Sequence, residues 1–146
     1  MLKNKGFWDD IEDMLNDEYS DFVVIDLFFT LETYMVLKDD LSELPVNQCK
    51  FYNIYHECER RLPKVLSPNT LKYIAQLHTI VKDVPNVRIS VTIEHILDFV
   101  ENNEKPYSLF CAMGVLKGIE DATTDEPTKL LLQVTEHGLL QAIKSL

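Results

Sequence analysis

The spacing of apolar residues predicts a chain built almost entirely of helices. Trp8, Ile11 and Leu15 recur at helical spacing, and carboxylates fill most of the positions between them. This pattern predicts an amphipathic first helix whose outer face is acidic. The following segment, over about 21–42, is apolar around nearly its whole circumference. Such a segment is typical of a helix at the centre of a bundle.

Further helical segments follow along the remaining chain. Their apolar spacing predicts helices over about 47–62, 67–82, 92–102, 107–119 and 127–144. Asn47 suits the N-cap of the first of these, because its side chain can accept a hydrogen bond from a free backbone N–H. Pro63 is expected to end the same helix, since proline has no N–H to donate and its ring crowds the preceding turn.

Two short segments also suit β-strands. Residues 22–29 begin with the β-rich run Phe-Val-Val-Ile, and residues 87–93 alternate weakly between apolar and polar side chains. We prefer a helix for the first and an extended lead into a helix for the second. The predicted fold is therefore all-α, a single-domain irregular bundle of about six to seven helices over residues 1–146.

The composition is that of one folded domain outside the membrane. The chain has 146 residues with four glycines and six prolines, which favours one core of helices over short strands joined by tight turns. Its most apolar stretch, Phe22 to Leu37, is interrupted by Asp26 and Glu32 and is too short to span a bilayer. The N-terminus does not have the order of a secretion signal. We therefore expect a cytoplasmic protein without membrane contact.

Charge divides the chain into two parts. The acidic N-terminal helices, residues 7–44, hold twelve carboxylates, whereas the near-neutral helical remainder, residues 45–146, holds twelve acids and eleven bases. Residues 9–37 contain neither lysine nor arginine, and the whole chain has a net charge of −10. A concentrated negative field attracts a positive partner, speeds encounter and repels nucleic acid. We therefore expect a basic protein partner and no direct contact with nucleic acid.

The acidic segment is the candidate partner-binding surface. The residues expected to contact the partner are Trp8, Asp9, Asp10, Asp13, Asp17, Glu18, Tyr19, Asp21, Asp39, Asp40 and Glu43. Aromatic side chains beside carboxylates suit anchors on an Arg- and Lys-rich surface, so Trp8 or Tyr19 would serve in that role. For Trp8 alone we favour the alternative, that it packs the first helix onto the core. The alternative for the whole segment is a solvated helix face.

Motifs for catalysis or metal binding are missing from the sequence. The acidic run lacks the residue order of a calcium loop, and the four histidines match no zinc pattern. No nucleophile elbow, phosphate-binding loop or dinucleotide fingerprint occurs. Cys49, Cys58 and Cys111 form no Cys-x-x-Cys pair and are expected to be reduced core thiols. We therefore expect no catalytic residue, metal or cofactor, and a protein that is not an enzyme.

Gly114 and Gly118 lie in one predicted helix, with Ala112 nearby. Their separation of four positions lets another helix approach closely. In a bundle of this kind that spacing is typical of internal packing. A homodimer seam at the same glycines is the alternative.

These features favour an immunity or antitoxin-type inhibitor that binds and occludes a basic toxin through its acidic N-terminal surface. The toxin class that they favour most is a nuclease. A nuclease holds phosphate with Lys, Arg and His, so fixed carboxylates can compete for those groups. In general character the chain is similar to immunity proteins of bacteriocins and of contact-dependent inhibition systems, although the likeness covers no defined stretch. The alternatives are a phage- or host-encoded adaptor or DNA mimic that inhibits a nucleic-acid-binding protein, and an oligomeric helical scaffold.

Overall fold

The structure, a computed structural model, describes residues 2–16, 21–38, 41–66 and 69–146, with the backbone alone at residues 12 and 14–16. Its helices are α1 (Lys5–Asn16), α2 (Asp21–Leu37), α3 (Gln48–Val65), α4 (Thr70–Asp83), α5 (Ile89–Asn102), α6 (Tyr107–Ala122) and α7 (Glu126–Lys144), with a short 3-10 helix at Val84–Asn86.

No strand occurs within these described ranges, so the predicted all-α bundle is confirmed. Both strand alternatives are wrong, because residues 22–29 lie in α2 and α5 begins at Ile89.

Helix α2 lies at the centre of the bundle. Its side chains from Val24 to Tyr34 are buried with the exception of Asp26, which is partly exposed. The helix packs mainly against α6 and also against α3 and α4. Contact on several sides explains why nearly its whole circumference is apolar, and the predicted central position is confirmed.

Gly114 and Gly118 bring α6 close to α2. A Cβ atom added to Gly114 would overlap the backbone carbonyl of Asp26 and lie 2.8 Å from the Cβ of Phe29. At Gly118 the added atom would lie 2.6 Å from the Cβ of Thr33. The glycines therefore serve internal packing, as expected, and α2 covers the surface that the homodimer alternative would have used.

The predicted end of the third helix is wrong. Helix α3 runs through Pro63 to Val65, and the N–H of Leu66 donates to the carbonyl of Leu62 at 3.0 Å. Pro63 removes one hydrogen bond close to the helix end, while the buried side chains of Leu62, Val65 and Leu66 hold the last turn on the core. At the other end, the Asn47 side chain accepts from the N–H of Lys50 at 2.8 Å, which confirms the predicted cap.

The second helix also ends earlier than predicted, at Leu37 rather than about residue 42. The N–H of Lys38 donates to the carbonyl of Tyr34 at 2.8 Å. After the helix, Leu41 and Leu44 turn into the core, and the Leu44 N–H donates to the Leu41 carbonyl at 3.2 Å. The apolar residues Leu41 and Leu44 are therefore buried by a turn after the helix. The spacing of apolar residues does not distinguish such a turn from a longer helix.

The cysteines differ in burial. Cys58 and Cys111 are buried core thiols as expected, whereas the expectation is wrong for Cys49, which is exposed. Burial raises the pKa of the Cys58 thiol to about 12 and also raises the pKa of Cys111, so both remain protonated and unreactive at neutral pH.

Among the described helices, none combines the length and apolar character needed to cross a membrane.

Candidate functional site

Trp8 fixes helix α1 on the core. Its side chain is 0 % exposed, and the indole N–H donates to the backbone carbonyl of Leu2 at 2.6 Å. The indole also packs against Phe7 and Phe51, with ring centroids 5.7 and 5.6 Å away. Trp8 is therefore a core residue, which confirms the interpretation favoured for it, and its place among the expected partner contacts is wrong.

The opposite side of α1 carries the acids. Because Trp8 and Ile11 are buried, Asp9, Asp10 and Asp13 are turned outwards and all three are exposed. We call these three residues the α1 acidic surface. Lys50 of α3 lies 3.7 Å from the Asp9 carboxylate, which is itself 64 % exposed. An ion pair at that distance with a largely exposed carboxylate is weak, and one ammonium beside three carboxylates leaves the surface negative.

Two further predicted contact residues are also at the surface. Asp21 is exposed in the first turn of α2, where a carboxylate interacts favourably with the helix dipole. Glu43 is exposed and forms an ion pair with Lys3 at 3.0 Å, so its charge is partly neutralised. The predicted contact residues that lie outside the described ranges are Asp17, Glu18, Tyr19, Asp39 and Asp40.

Asp26 belongs to the acidic segment by sequence but faces the interior. Its carboxylate is 20 % exposed and lies 2.7 Å from the Lys117 ammonium of α6. The hydroxyl of Thr30 donates to the other carboxylate oxygen at 3.3 Å. Burial raises the pKa of Asp26, and the nearby ammonium of Lys117 opposes that rise. The pair joins the two most closely packed helices of the bundle.

Glu32 is the second acid of this segment that faces inwards. Its carboxylate is 9 % exposed, accepts a hydrogen bond from the Tyr55 hydroxyl at 3.1 Å and forms a close contact with His78 Nε2. Burial raises the pKa of Glu32 and also raises the pKa of Tyr55. Helices α2, α3 and α4 thus meet at one partly buried polar cluster. Neither Asp26 nor Glu32 contributes an exposed carboxylate to the outer field.

The described residues include no group of three or more His, Cys, Asp and Glu side chains placed to hold a metal ion. Comparisons with protein-family models, with curated proteins and with solved structures found no match. Helix α1, which Trp8 and Ile11 anchor in the core, presents three exposed carboxylates, and carboxylates form charge-assisted hydrogen bonds with Lys and Arg side chains.

Proposed function

We propose that this protein binds a basic protein through the α1 acidic surface and occludes the functional site of that partner. The observation that carries the proposal is the geometry of one helix. Asp9, Asp10 and Asp13 are exposed on one side, while Trp8 and Ile11 anchor the other side in the core. Because these carboxylates stand on a helix that is already ordered, the backbone needs no further ordering when they pair with cations, which favours binding.

The partner class that this chemistry favours is a toxin that acts on nucleic acid. A nuclease presents Lys, Arg and His side chains to phosphate, and carboxylates form short charge-assisted hydrogen bonds with the same groups. Occupation of those groups would exclude the substrate without any catalytic step by the inhibitor. The proposal includes a cytoplasmic location in a bacterial cell, where such an immunity protein would meet its toxin.

A capture experiment with three full-length baits tests this function. The baits are the unchanged protein, the α1 reversal Asp9→Lys, Asp10→Lys, Asp13→Lys, and a control reversal Glu94→Lys, Asp98→Lys, Glu101→Lys. The control changes three exposed acids of α5, so it alters net charge equally at another place. Each bait is incubated with an extract of the native host at moderate salt, and bound proteins are quantified by mass spectrometry.

We expect a basic protein to be retained by the unchanged bait and by the control reversal but lost from the α1 reversal. Purified, that protein should cleave nucleic acid, and one equivalent of the unchanged chain should stop the cleavage. Equal retention on all three baits would exclude the α1 acidic surface as the interface. Recovery of this protein alone would instead favour the oligomeric scaffold.

A further inference from the structure

Helix α7 carries apolar residues on the side that faces away from the bundle. Leu130 and Val134 are each 63 % exposed, and Leu131 is 40 % exposed. Gly138 and Ala142 continue the row of Leu130 and Val134 at intervals of four residues and are exposed as well. At 3.6 residues per turn, these five residues lie within about 120° of the helix circumference. We call them the α7 outer face.

The exposed part of α7 is almost without charge. The inner side of the helix, with Leu132 and Leu139, is buried against the bundle. Between Glu126 at the first position and Lys144 at the last, no exposed residue of the helix is Asp, Glu, Lys or Arg. A helix face that meets only water is typically charged or polar. Solvation therefore does not explain the α7 outer face, whereas a contact with another protein surface does.

Polar residues border the outer face along one edge. Gln133, His137 and Gln141 follow one another at intervals of four residues. The Gln133 amide donates to Glu120 of α6 at 2.9 Å, and the Gln141 amide nitrogen lies 3.4 Å from His137 Nε2. These side chains have partners in their own chain, so the apolar residues remain the main unpartnered part of the helix surface.

The two charged ends of α7 are complementary to each other. Glu126 and Lys144 are separated by five helical turns, so both lie on the same side of the helix, beside the outer face. If a second α7 packs on the outer face in the antiparallel direction, a two-fold axis brings Glu126 of each copy to Lys144 of the other. The helix dipoles also oppose each other in that arrangement. A parallel pair would instead bring like charges together.

Helix α7 is also the part of the chain where two copies repel each other least. The whole chain has a net charge of −10, whereas α7 contains two acids and two bases. Its 19 residues make a face about 28 Å long and about 10 Å wide, so two copies would bury less than about 1,000 Å² in total. A contact of this size is weak, with a dissociation constant on the order of 10–100 µM. At low micromolar concentration the chain is then a monomer.

We propose that the α7 outer face binds a second copy of this chain and forms a reversible two-fold dimer with antiparallel α7 helices. The register that pairs Glu126 with Lys144 brings Leu130 and Leu131 of one copy within about 3 Å, along the helix axis, of Gly138 of the other. An added Cβ at Gly138 meets nothing within 4 Å in one copy, which leaves room for these leucines. The dimer does not depend on the α1 acidic surface.

Sedimentation equilibrium of the full chain tests the dimer over about 5–500 µM. We expect one reversible monomer–dimer equilibrium that is retained at about 0.5 M salt, because the contact is mainly apolar and salt screens the repulsion between two acidic chains. Leu130→Lys should weaken the dimer about tenfold or more. Leu71→Lys is the matched control, because Leu71 is 82 % exposed on α4, and should stay within about twofold of the unchanged chain. Circular dichroism checks that both variants fold.

A charge exchange tests the direction of the two helices. Glu126→Lys alone and Lys144→Glu alone each place like charges together in an antiparallel dimer, and each should weaken it about threefold. Glu126→Lys should do so although it makes the whole chain less acidic. The double exchange restores opposite charges and should return the affinity to within about twofold of the unchanged chain. In a parallel dimer the double exchange would restore nothing.

The proposal is supported by a dimer that weakens in Leu130→Lys but not in Leu71→Lys and that recovers in the double exchange. A monomer at every concentration would overturn it and would show that the outer face serves another occupant. Equal effects of Leu130→Lys and Leu71→Lys, loss of the dimer at about 0.5 M salt, or a double exchange weaker than both single changes would overturn it too. The capture experiment depends on α1, so its result is independent of these.

Discussion

Asp9 and Asp26 both belong to the acidic N-terminal part of the chain, yet the first carboxylate is 64 % exposed and the second is 20 % exposed and paired with Lys117. Asp9 can therefore contact another molecule, whereas Asp26 joins two helices of the same molecule. Glu136 shows a third situation, a half-buried acid that is neutral at ordinary pH. At the scale of single residues, the burial of each carboxylate and the charges beside it determine whether it contributes to the negative field at the surface.

The first prediction concerns Glu136→Gln and pH. The folded pKa of about 9 lies above the ordinary value of 4.5, so the folded chain holds more protons than the unfolded chain between these pH values. The stabilising contribution of Glu136 is therefore present below about pH 4.5 and is lost as pH rises towards 9. Glu136→Gln should be the more stable protein at pH 8 by about 1 kcal/mol, a figure that allows for solvent screening.

Urea unfolding of the two proteins at pH 5 and pH 8 checks this prediction. The free energy of unfolding of Glu136→Gln should exceed that of the unchanged chain by more at pH 8 than at pH 5. Glu126→Gln serves as the control, because Glu126 is exposed, and its difference from the unchanged chain should remain constant. A pH-independent difference for Glu136→Gln would show that Glu136 is ionised in the folded chain.

The second prediction concerns the buried ion pair. Lys117→Met leaves Asp26 without a cation in a largely buried place, and we expect a loss of about 3–5 kcal/mol in the free energy of unfolding near neutral pH. Lys72→Met on α4 is the control, since Lys72 is exposed, and should change stability by less than about 0.5 kcal/mol. Chemical denaturation measures both values. If Lys117→Met lost as little stability as Lys72→Met, solvent would already screen the charge of Asp26.

At the scale of elements, the contact between α2 and α6 depends on two glycines. Gly114→Ala and Gly118→Ala would each place a methyl group against α2 and should destabilise the chain by about 1–3 kcal/mol. Gly138→Ala in α7 is the matched control, because an added Cβ there meets nothing within 4 Å. That change should stabilise the chain by about 0.5–1 kcal/mol through helix propensity alone. Thermal unfolding compares the three, and a stabilised Gly118→Ala would contradict the close helix contact.

Most helices could be predicted because their signals are local. The all-round apolar character of α2 indicated its central position, and Asn47 marked the start of α3. The ends of elements were less predictable. Pro63 lies inside α3 because burial of Leu62 and Val65 outweighs the hydrogen bond that proline removes. That packing is set by other helices, so no local pattern reports it.

The candidate site could be predicted in part. The outward direction of Asp9 follows from the helical spacing of Trp8 and Ile11, which also explains why Trp8 is buried. The inward direction of Asp26 and Glu32 had a signal in the apolar run around them, but their partners Lys117 and His78 are distant in sequence.

For the whole molecule, the negative field should control how fast a basic partner associates. We expect the association rate constant to fall steeply between about 0.05 and 0.5 M salt, because ions screen the attraction that guides encounter. The dissociation rate should change much less over the same range. Surface plasmon resonance or stopped-flow mixing with the captured protein measures both rates. A constant association rate would exclude electrostatic guidance as the basis of recognition.

The most direct test of the central claim is the affinity of the captured partner for the two charge-reversal variants, measured by calorimetry at one ionic strength. The α1 reversal should fold normally and weaken binding by about 10²-fold or more, because like charges then meet across the interface. The α5 reversal, with the same net charge, should stay within about threefold of the unchanged chain. Equal affinities for the two variants would contradict the assignment of the α1 acidic surface as the binding site.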